Sequence, residues 1–546
     1  MSAQKLRGGF YTPEPLVHFC LARLRPLLRS QRELRLLEPS AGDGAFVRGV
    51  AADRSLAART KELLAIEPQE LEAEKCRRSL AATPIEGDVL AASAVDWGLA
   101  GGEMFDAAVG NPPFVRYQFI SARDKGQIAR LGESAGISFG GVSNLWLPVL
   151  VAALTRLREG GAFSFVVPTE LLTGLSAAQL RAWLARDFRD LRIDLFAPGS
   201  FPGVLQEVAV LSGRRFGRAA AVTKLTLGEH DRRGTESSWT HTIDPEQPNW
   251  TRYLLAPAQL VAFESAISAP SVVRLGSLAR FQVSVVTGAN DFFCIAEKEL
   301  ADFGLEPWAR PLLPRIRHAP GLVYSARDHA EMLRAGARGW LLDFAESAPN
   351  PRRRRGPARY LRSGEDRELP ARYKCRIREP WFRVPHIERG SLFLSKRSHR
   401  YPRVIVNQAA AYTTDTIYRG ELLAEAGLSP AGLSACFHSS LTLLSAELEG
   451  RSFGGGVLEL VPSEIARLSI AVVGGSEKWI DRLDETARGS VEEALVEETD
   501  GALVGAGALD REVVDQLHEA RLELLARRLA RNERSAADEP ALQRAA

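Results

Sequence analysis

The chain has 546 residues, 45% hydrophobic and 25% charged, and a formal net charge of +3. That is too long for one hydrophobic core and predicts two or three domains. No apolar run reaches the roughly 20 residues of a membrane-spanning helix. MSAQKLRGGFYTP at the N-terminus has no apolar signal core, so a cytoplasmic protein with no membrane partner is expected. The five cysteines are scattered, odd in number and without a CxxC pair, which argues against a disulfide framework and against a metal site.

Residues 1–216 alternate helical and strand patterns. Thr12-Pro13-Glu14 opens a helix with a capping residue, a proline and an acid, and apolar residues then recur at Leu16, Cys20, Leu24 and Leu27. Short apolar runs follow in LRLLEP (34–39), ELLAIEP (62–68), FDAAVGNPP (105–113), AFSFVVP (162–168), LRIDLF (191–196) and EVAVLSG (207–213). Helical patterns lie between most of them, which predicts a doubly wound α/β domain with a mostly parallel sheet. Ligands of such sheets bind beyond the carboxyl ends of the strands.

Three acids fall where that rule places chemistry. In LEPSAGDGAF (37–46) a strand ends at Glu38, and Gly42 and Gly44 let the backbone turn tightly against a ligand before a helix starts. Glu67 ends the second strand, where a carboxylate can accept both ribose hydroxyls of a nucleoside-bearing cofactor. Asp88, in IEGDVL, is expected to end the third strand and to accept from an adenine amino group. Each acid alone is more often a turn residue or a helix cap.

The fourth feature is GNPPF (110–114). Each proline holds the residue before it extended, so Asn111 and Pro112 form a stiff turn. From it the Asn111 side-chain carbonyl and the Pro112 backbone carbonyl can project together as two acceptors for one NH2 group. A ring amino nitrogen is a poor nucleophile because its lone pair is delocalised, and two fixed acceptors favour a pyramidal, more nucleophilic form. Phe114 can stack on the base.

FYTPEPLV, LEPSAGDGAF, AIEP, GDVL and NPPF, in this order, resemble the gamma class of S-adenosylmethionine-dependent DNA adenine-N6 methyltransferases. The resemblance implies a Rossmann-like class I methyltransferase domain, an α+β target-recognition domain after it, and a helical C-terminal tail. It implies S-adenosylmethionine contacts from Tyr11, Thr12, Glu38, Pro39, Ser40, Ala41, Gly42, Gly44, Glu67, Asp88, Val89 and Asn111. Catalysis falls to Asn111, Pro112, Pro113 and Phe114, with Phe114 and Phe201 against a flipped adenine. Asp43 stands where the family often has a small or hydroxyl residue, so its relation to the cofactor is open.

Residues 217–270 are polar and mixed and are expected to form a connector, with a helix near Pro257 to Ile267. Residues 271–474 mix short β-like runs with helices and basic loops, and 475–546 read as helices fading into disorder after about Asn532. Between Arg352 and Arg403 seventeen Lys/Arg stand against five Asp/Glu, a local +12. That asymmetry predicts a polyanion-binding surface, double-stranded DNA in this case, contacted by Arg352, Arg353, Arg354, Arg355, Arg359, Lys374 and Arg376. Tyr360 and Tyr373 interleave with this run and suit base contact; Trp381 and Phe382 fit better as core. A monomer reading an asymmetric site is expected, with any restriction endonuclease on a separate chain. The alternatives are methylation of ribosomal RNA guanine-N2 or protein glutamine-N5, or a noncatalytic DNA-binding scaffold.

Overall fold

The computed structural model describes residues 11–28, 31–115, 120–139, 144–197, 199–201, 208–217, 223–246, 249–345, 348–385, 387–453, 456–489 and 491–530. The chain divides into two compact units, Met1–Pro257 and Ala258–Ala546.

The first unit is built on a nine-stranded sheet. Its strands are β1 (Leu34–Glu38), β2 (Thr60–Ile66), β3 (Gly87–Leu90), β4 (Phe105–Gly110), β5 (Leu157–Pro168), β6 (Phe188–Phe196), β7 (Val208–Arg215), β8 (Lys224–His230) and β9 (Glu236–Thr242). They lie in the order β3-β2-β1-β4-β5-β7-β6-β8-β9. From β3 to β5 every pairing is parallel, β7 runs antiparallel to its neighbours β5 and β6, and β9 antiparallel to β8. Strand order reverses between β1 and β4, the switch point at which doubly wound sheets open a crevice.

Both faces of this sheet are covered, as parallel strands require. Helix α1 (Glu14–Leu24) packs its Leu16, Val17, Cys20, Leu21 and Leu24 stripe with α2 (Ala45–Ala52) and α3 (Glu70–Ala81). Leu36, Ala65, Ala107 and Val109 face that layer, the period-2 alternation of a strand. Helix α4 (Trp146–Thr155) is apolar nearly all round and has nine buried residues from Trp146 to Leu154, the pattern of a helix enclosed on every side.

The expected connector is partly sheet. β8 and β9 form a hairpin that extends the sheet, with Leu225 and Leu227 buried. Its turn is held by Asp231, whose Oδ1 accepts the N–H groups of Arg233 and Thr235 at 2.8 Å each. The polar, glycine-containing HDRRGT that suggested loop is the hairpin turn itself. The helix expected near Pro257 spans Pro257–Ile267.

The second unit mixes small sheets and helices. Five strands run in the order Ala279–Val283, Ile417–Leu422, Leu392–Ser395, Val404–Asn407, Val323–Tyr324, and four in the order Cys294–Ile295, Trp340–Leu342, Ala309–Leu313, Tyr412–Thr413. Helices Ile480–Arg488, Glu492–Gly505 and Arg511–Leu529 form the helical C-terminal region. Expected disorder after Asn532 lies outside the described residues. An aromatic core of Phe292, Phe293, Trp308, Phe344, Tyr360, Trp381 and Phe382 supports this unit. Among the described residues no helix is long and apolar enough to cross a membrane.

Candidate active site and nucleic-acid surface

The sequence-predicted cofactor residues converge at the carboxyl ends of β1, β2 and β4. Gly42 (φ +52°) and Gly44 (φ +85°) take the left-handed backbone that turns the chain from β1 into α2. A Cβ on Gly44 would lie 2.9 Å from Ser79 Cβ, so this position also lets α3 approach. A Cβ on Gly42 would meet nothing within 4 Å.

Backbone hydrogen bonds stitch the strand ends together. Ala41 N donates to Ile66 O at 2.9 Å, and Glu67 N to Leu90 O at 3.0 Å. Glu67 accepts from Gly42 N (3.0 Å) and Gln69 N (2.9 Å), so its carboxylate is aimed at the glycine turn. Burial pushes the Glu67 carboxyl up, and these two N–H groups oppose the shift.

Glu38 differs. It is 1% exposed, and its Oε2 is buried without a hydrogen-bond partner among the described residues. Burial raises its carboxyl well above the usual carboxylate range, and the nearby charges of Asp43 and Glu67 add to the shift. Ser40 Oγ is likewise buried and unpartnered among the described residues. Unpaired buried polar groups of this kind are costly, and a ligand with an ammonium group and hydroxyls would satisfy them. The residues present therefore fit a cationic, nucleoside-bearing cofactor. Asp43 does not join them, because Arg48 Nη2 holds its Oδ2 at 2.9 Å.

Two predicted contacts sit differently. Asp88 is the second residue of β3, opposite Leu64 and short of the strand's carboxyl end at Leu90, and it is exposed. The edge strand starts at Gly87, later than the IEGDVL pattern suggested, while Val89 beside it is buried. Tyr11 is 49% exposed and rests on α3, where its hydroxyl donates to Glu72 Oε2 (3.1 Å) and accepts from Lys75 Nζ (3.0 Å).

The Asn-Pro-Pro-Phe turn follows β4 directly. Asn111 Nδ2 donates to Thr12 Oγ1 at 3.1 Å, which leaves Oδ1 buried with no donor among the described residues. The Pro113 carbonyl is taken by Val115 N (3.1 Å), whereas the Pro112 carbonyl accepts no hydrogen bond among the described residues. A Cβ on Gly110 would lie 3.4 Å from Pro39 Cδ and 3.5 Å from Ser40 Oγ, so this turn and the glycine turn touch. Two free carbonyl oxygens thus stand beside two unsatisfied cofactor-side groups.

Phe114 and Phe201 both pack, half-buried, against the core under α1. Phe201 sits edge-on to Phe196 at 4.8 Å, and Phe196 in turn stacks on His230 at 5.2 Å. Behind this wall lies a network that motif reasoning missed. Asp194, fully buried, accepts from Arg23 Nη2 and Arg192 Nε at 2.9 Å each and contacts His230 Nε2 at 2.9 Å. Arg23 also reaches Glu236 at 2.7 Å. The ligand atoms of Asp194, His230 and Glu236 lie within 4.8 Å of one another, as a metal centre would need. Two guanidinium groups already neutralise the carboxylates, so the cluster is an ion-pair network. Its only trace in the sequence is an acid inside the apolar run LRIDLF.

In the second unit the basic run divides. Arg352 pairs with Glu365 at 2.7 Å and lies over the Phe382 ring, Arg354 lies over Trp308, and Arg359 over Phe303 at 4.8 Å. Arg353, Arg355 and Arg376 are exposed and make no ion pair or side-chain hydrogen bond among the described residues. Lys374 is exposed with its ammonium near the Tyr373 ring. Tyr360, expected at a base, is instead a core residue, 5% exposed and donating to Phe292 O at 2.6 Å. Tyr373 is 66% exposed. A further basic cavity of about 400 Å³, which the charge count did not single out, is lined by Arg315, Arg317, His318 and Arg338.

Comparison with known proteins finds similarity in both units. The family profile described as Eco57I restriction-modification methylase matches residues 54–199, and that of the C-terminal domain of the type II methyltransferase M.Eco57I matches residues 247–504. Type II methyltransferase M.TthHB8I of Thermus thermophilus is 28% identical over 330 residues, 59% of this chain and 68% of the relative. M.XamI of Xanthomonas campestris pv. amaranthicola is 24% identical across 85% of both chains. Among solved structures, the type IIL restriction-modification enzyme MmeI in complex with DNA superposes with a TM-score of 0.53 at 15% identity, covering 97% of this chain and 79% of that one, a likeness of fold.

Proposed function

We propose that this chain, which belongs to the Eco57I-type restriction-modification methyltransferases, methylates the N6 amino group of adenine within a specific sequence of duplex DNA. It is a DNA methyltransferase that uses S-adenosylmethionine; the methylated atom is the further step. The observation that carries it is the pair of free acceptors, Asn111 Oδ1 and the Pro112 carbonyl, on a turn touching the cofactor cradle.

When bound, the cofactor supplies an electrophilic methyl group. Glu67, with the N–H groups of Gly42 and Gln69 fixing its orientation, holds the ribose hydroxyls. Glu38 and Ser40 would receive the polar methionyl end. Thr12 orients Asn111 through the Nδ2 bond, so that Oδ1 is the oxygen left to accept. Asn111 Oδ1 and the Pro112 carbonyl would then accept hydrogen bonds from both N–H groups of the substrate amino group and stabilise the positive charge that develops on nitrogen as its lone pair is used, until one of its protons is released to water. Phe114 and Phe201 enclose the base, which is flipped from the duplex at a cost of a few kcal/mol. Phosphate contacts by Arg353, Arg355 and Arg376 help to offset that cost.

The test is expression in a methylation-free bacterium, followed by single-molecule sequencing that detects N6-methyladenine and N4-methylcytosine. N6-methyladenine at one motif in wild type, absent with Asn111→Ala, is the expected result. Methylated cytosine, or none from soluble protein that binds S-adenosylmethionine, would overturn it.

A further inference from the structure

The second unit contains a cleft of about 680 Å³ whose lining includes Val283, Val286, Asp343, Lys374, Ile377, Arg378 and Glu379. Its mouth has two lips, the segment 283–287 and the turn of helix Tyr373–Arg376 with Ile377. Large apolar side chains are exposed on both: Val283 48%, Val286 39%, Tyr373 66% and Ile377 63%. Apolar surface gathered in one place on an otherwise soluble fold marks a contact site.

The lips are held at fixed spacing. Arg378 donates from Nη1 to Thr287 O (2.7 Å) and from Nη2 to Val286 O (2.8 Å), tying one lip to the other. Gly288, at φ +79°, lets the first lip press on the second, since a Cβ there would lie 2.6 Å from Lys374 Cβ. A rigid mouth reads shape better than a mobile one.

We propose that this mouth enters the major groove of duplex DNA and reads base edges, and so sets the sequence selectivity of the chain. The assignment rests on the chain being a DNA methyltransferase. Base edges present three kinds of group in that groove: purine acceptors, amino donors and the thymine methyl. The mouth offers the complement of each. Lys374 donates, Glu379 is an exposed carboxylate that accepts, and Val283, Val286 and Ile377 are apolar. The surrounding segment, Arg352 to Arg403, carries a net +12, which favours a polyanion over a peptide or an uncharged small molecule.

The full-length chain, as wild type, Lys374→Gln and Ile377→Ser, is used to select from a random duplex pool, and the three are also mapped for methylated positions in the methylation-free host. The wild type is expected to enrich one motif, and each variant to lose about tenfold of its discrimination at a single position of that motif. Val261→Ser, at a side chain 66% exposed on the helix Pro257–Ile267, leaves the motif intact. Both variants sit at the surface, so their melting temperature should match the wild type. An unchanged motif in both overturns the assignment, as does a uniform loss of affinity at every position, or a wild type that enriches no sequence. A methylated base other than adenine bears on the methylated atom alone, because wild-type and variant motifs compare in the same way for any base.

Discussion

The glycine turn of the first unit and the arginine run of the second were both conspicuous in the sequence, yet the structure uses them differently. Around the turn, Glu38, Glu67, Ser40 and Asn111 come together because each lies at or just past the end of a strand in one sheet, and strand ends are brought together by the sheet itself. In the run, neighbouring arginines part company. Arg352 is spent on Glu365 and Arg354 on Trp308, whereas Arg353 and Arg355 make no ion pair or side-chain hydrogen bond among the described residues. Order along a sheet is a backbone property that a motif encodes locally. Whether a charge is available depends on what folds beside it.

The largest expected effect tests the first half of that contrast. Asn111→Ala should lower methyl transfer by about a hundredfold or more while S-adenosylmethionine binding, followed by calorimetry, stays near wild type. A normal turnover would mean that the acceptor pair is only a stiff turn. Phe114→Ala should lose roughly 1–3 kcal/mol of base stacking, seen as weaker binding of DNA carrying an abasic partner opposite the target; an unchanged constant would place Phe114 in the core alone.

Glu38 gives a pH signature. Burial keeps its carboxyl protonated above the usual range, and a cationic ligand draws that proton off. S-adenosylmethionine affinity should therefore rise with pH, by up to about tenfold per pH unit, until Glu38 ionises in the free protein. By the same linkage the stability contributed by the raised pKa is present at low pH and is lost as pH rises through it. Glu38→Gln should flatten the affinity profile; a profile of the same slope in that variant would remove Glu38 from the site.

The smallest effect tests the second half. Replacing Arg353 and Arg355 by Ala should reduce the salt slope of DNA affinity by about two, with little change in melting temperature. Replacing Arg352 and Arg354 should do the opposite, lowering stability and sparing the slope. Equal behaviour of the two pairs would erase the distinction drawn between spent and free arginines.

Sequence alone was enough for the doubly wound sheet, the two acids at the ends of β1 and β2, and the Asn-Pro-Pro-Phe turn. Apolar periodicity, paired glycines and proline stiffness act over a few residues, and a linear pattern carries them whole. It did not reveal the β8–β9 hairpin, because a polar turn looks the same in a loop and at the end of a ribbon. It misplaced Tyr360, since an aromatic between arginines can face either way. The Asp194 network and the cleft at Val283 and Ile377 were out of reach, because each joins side chains far apart in the chain whose proximity exists only once the unit that holds them has folded.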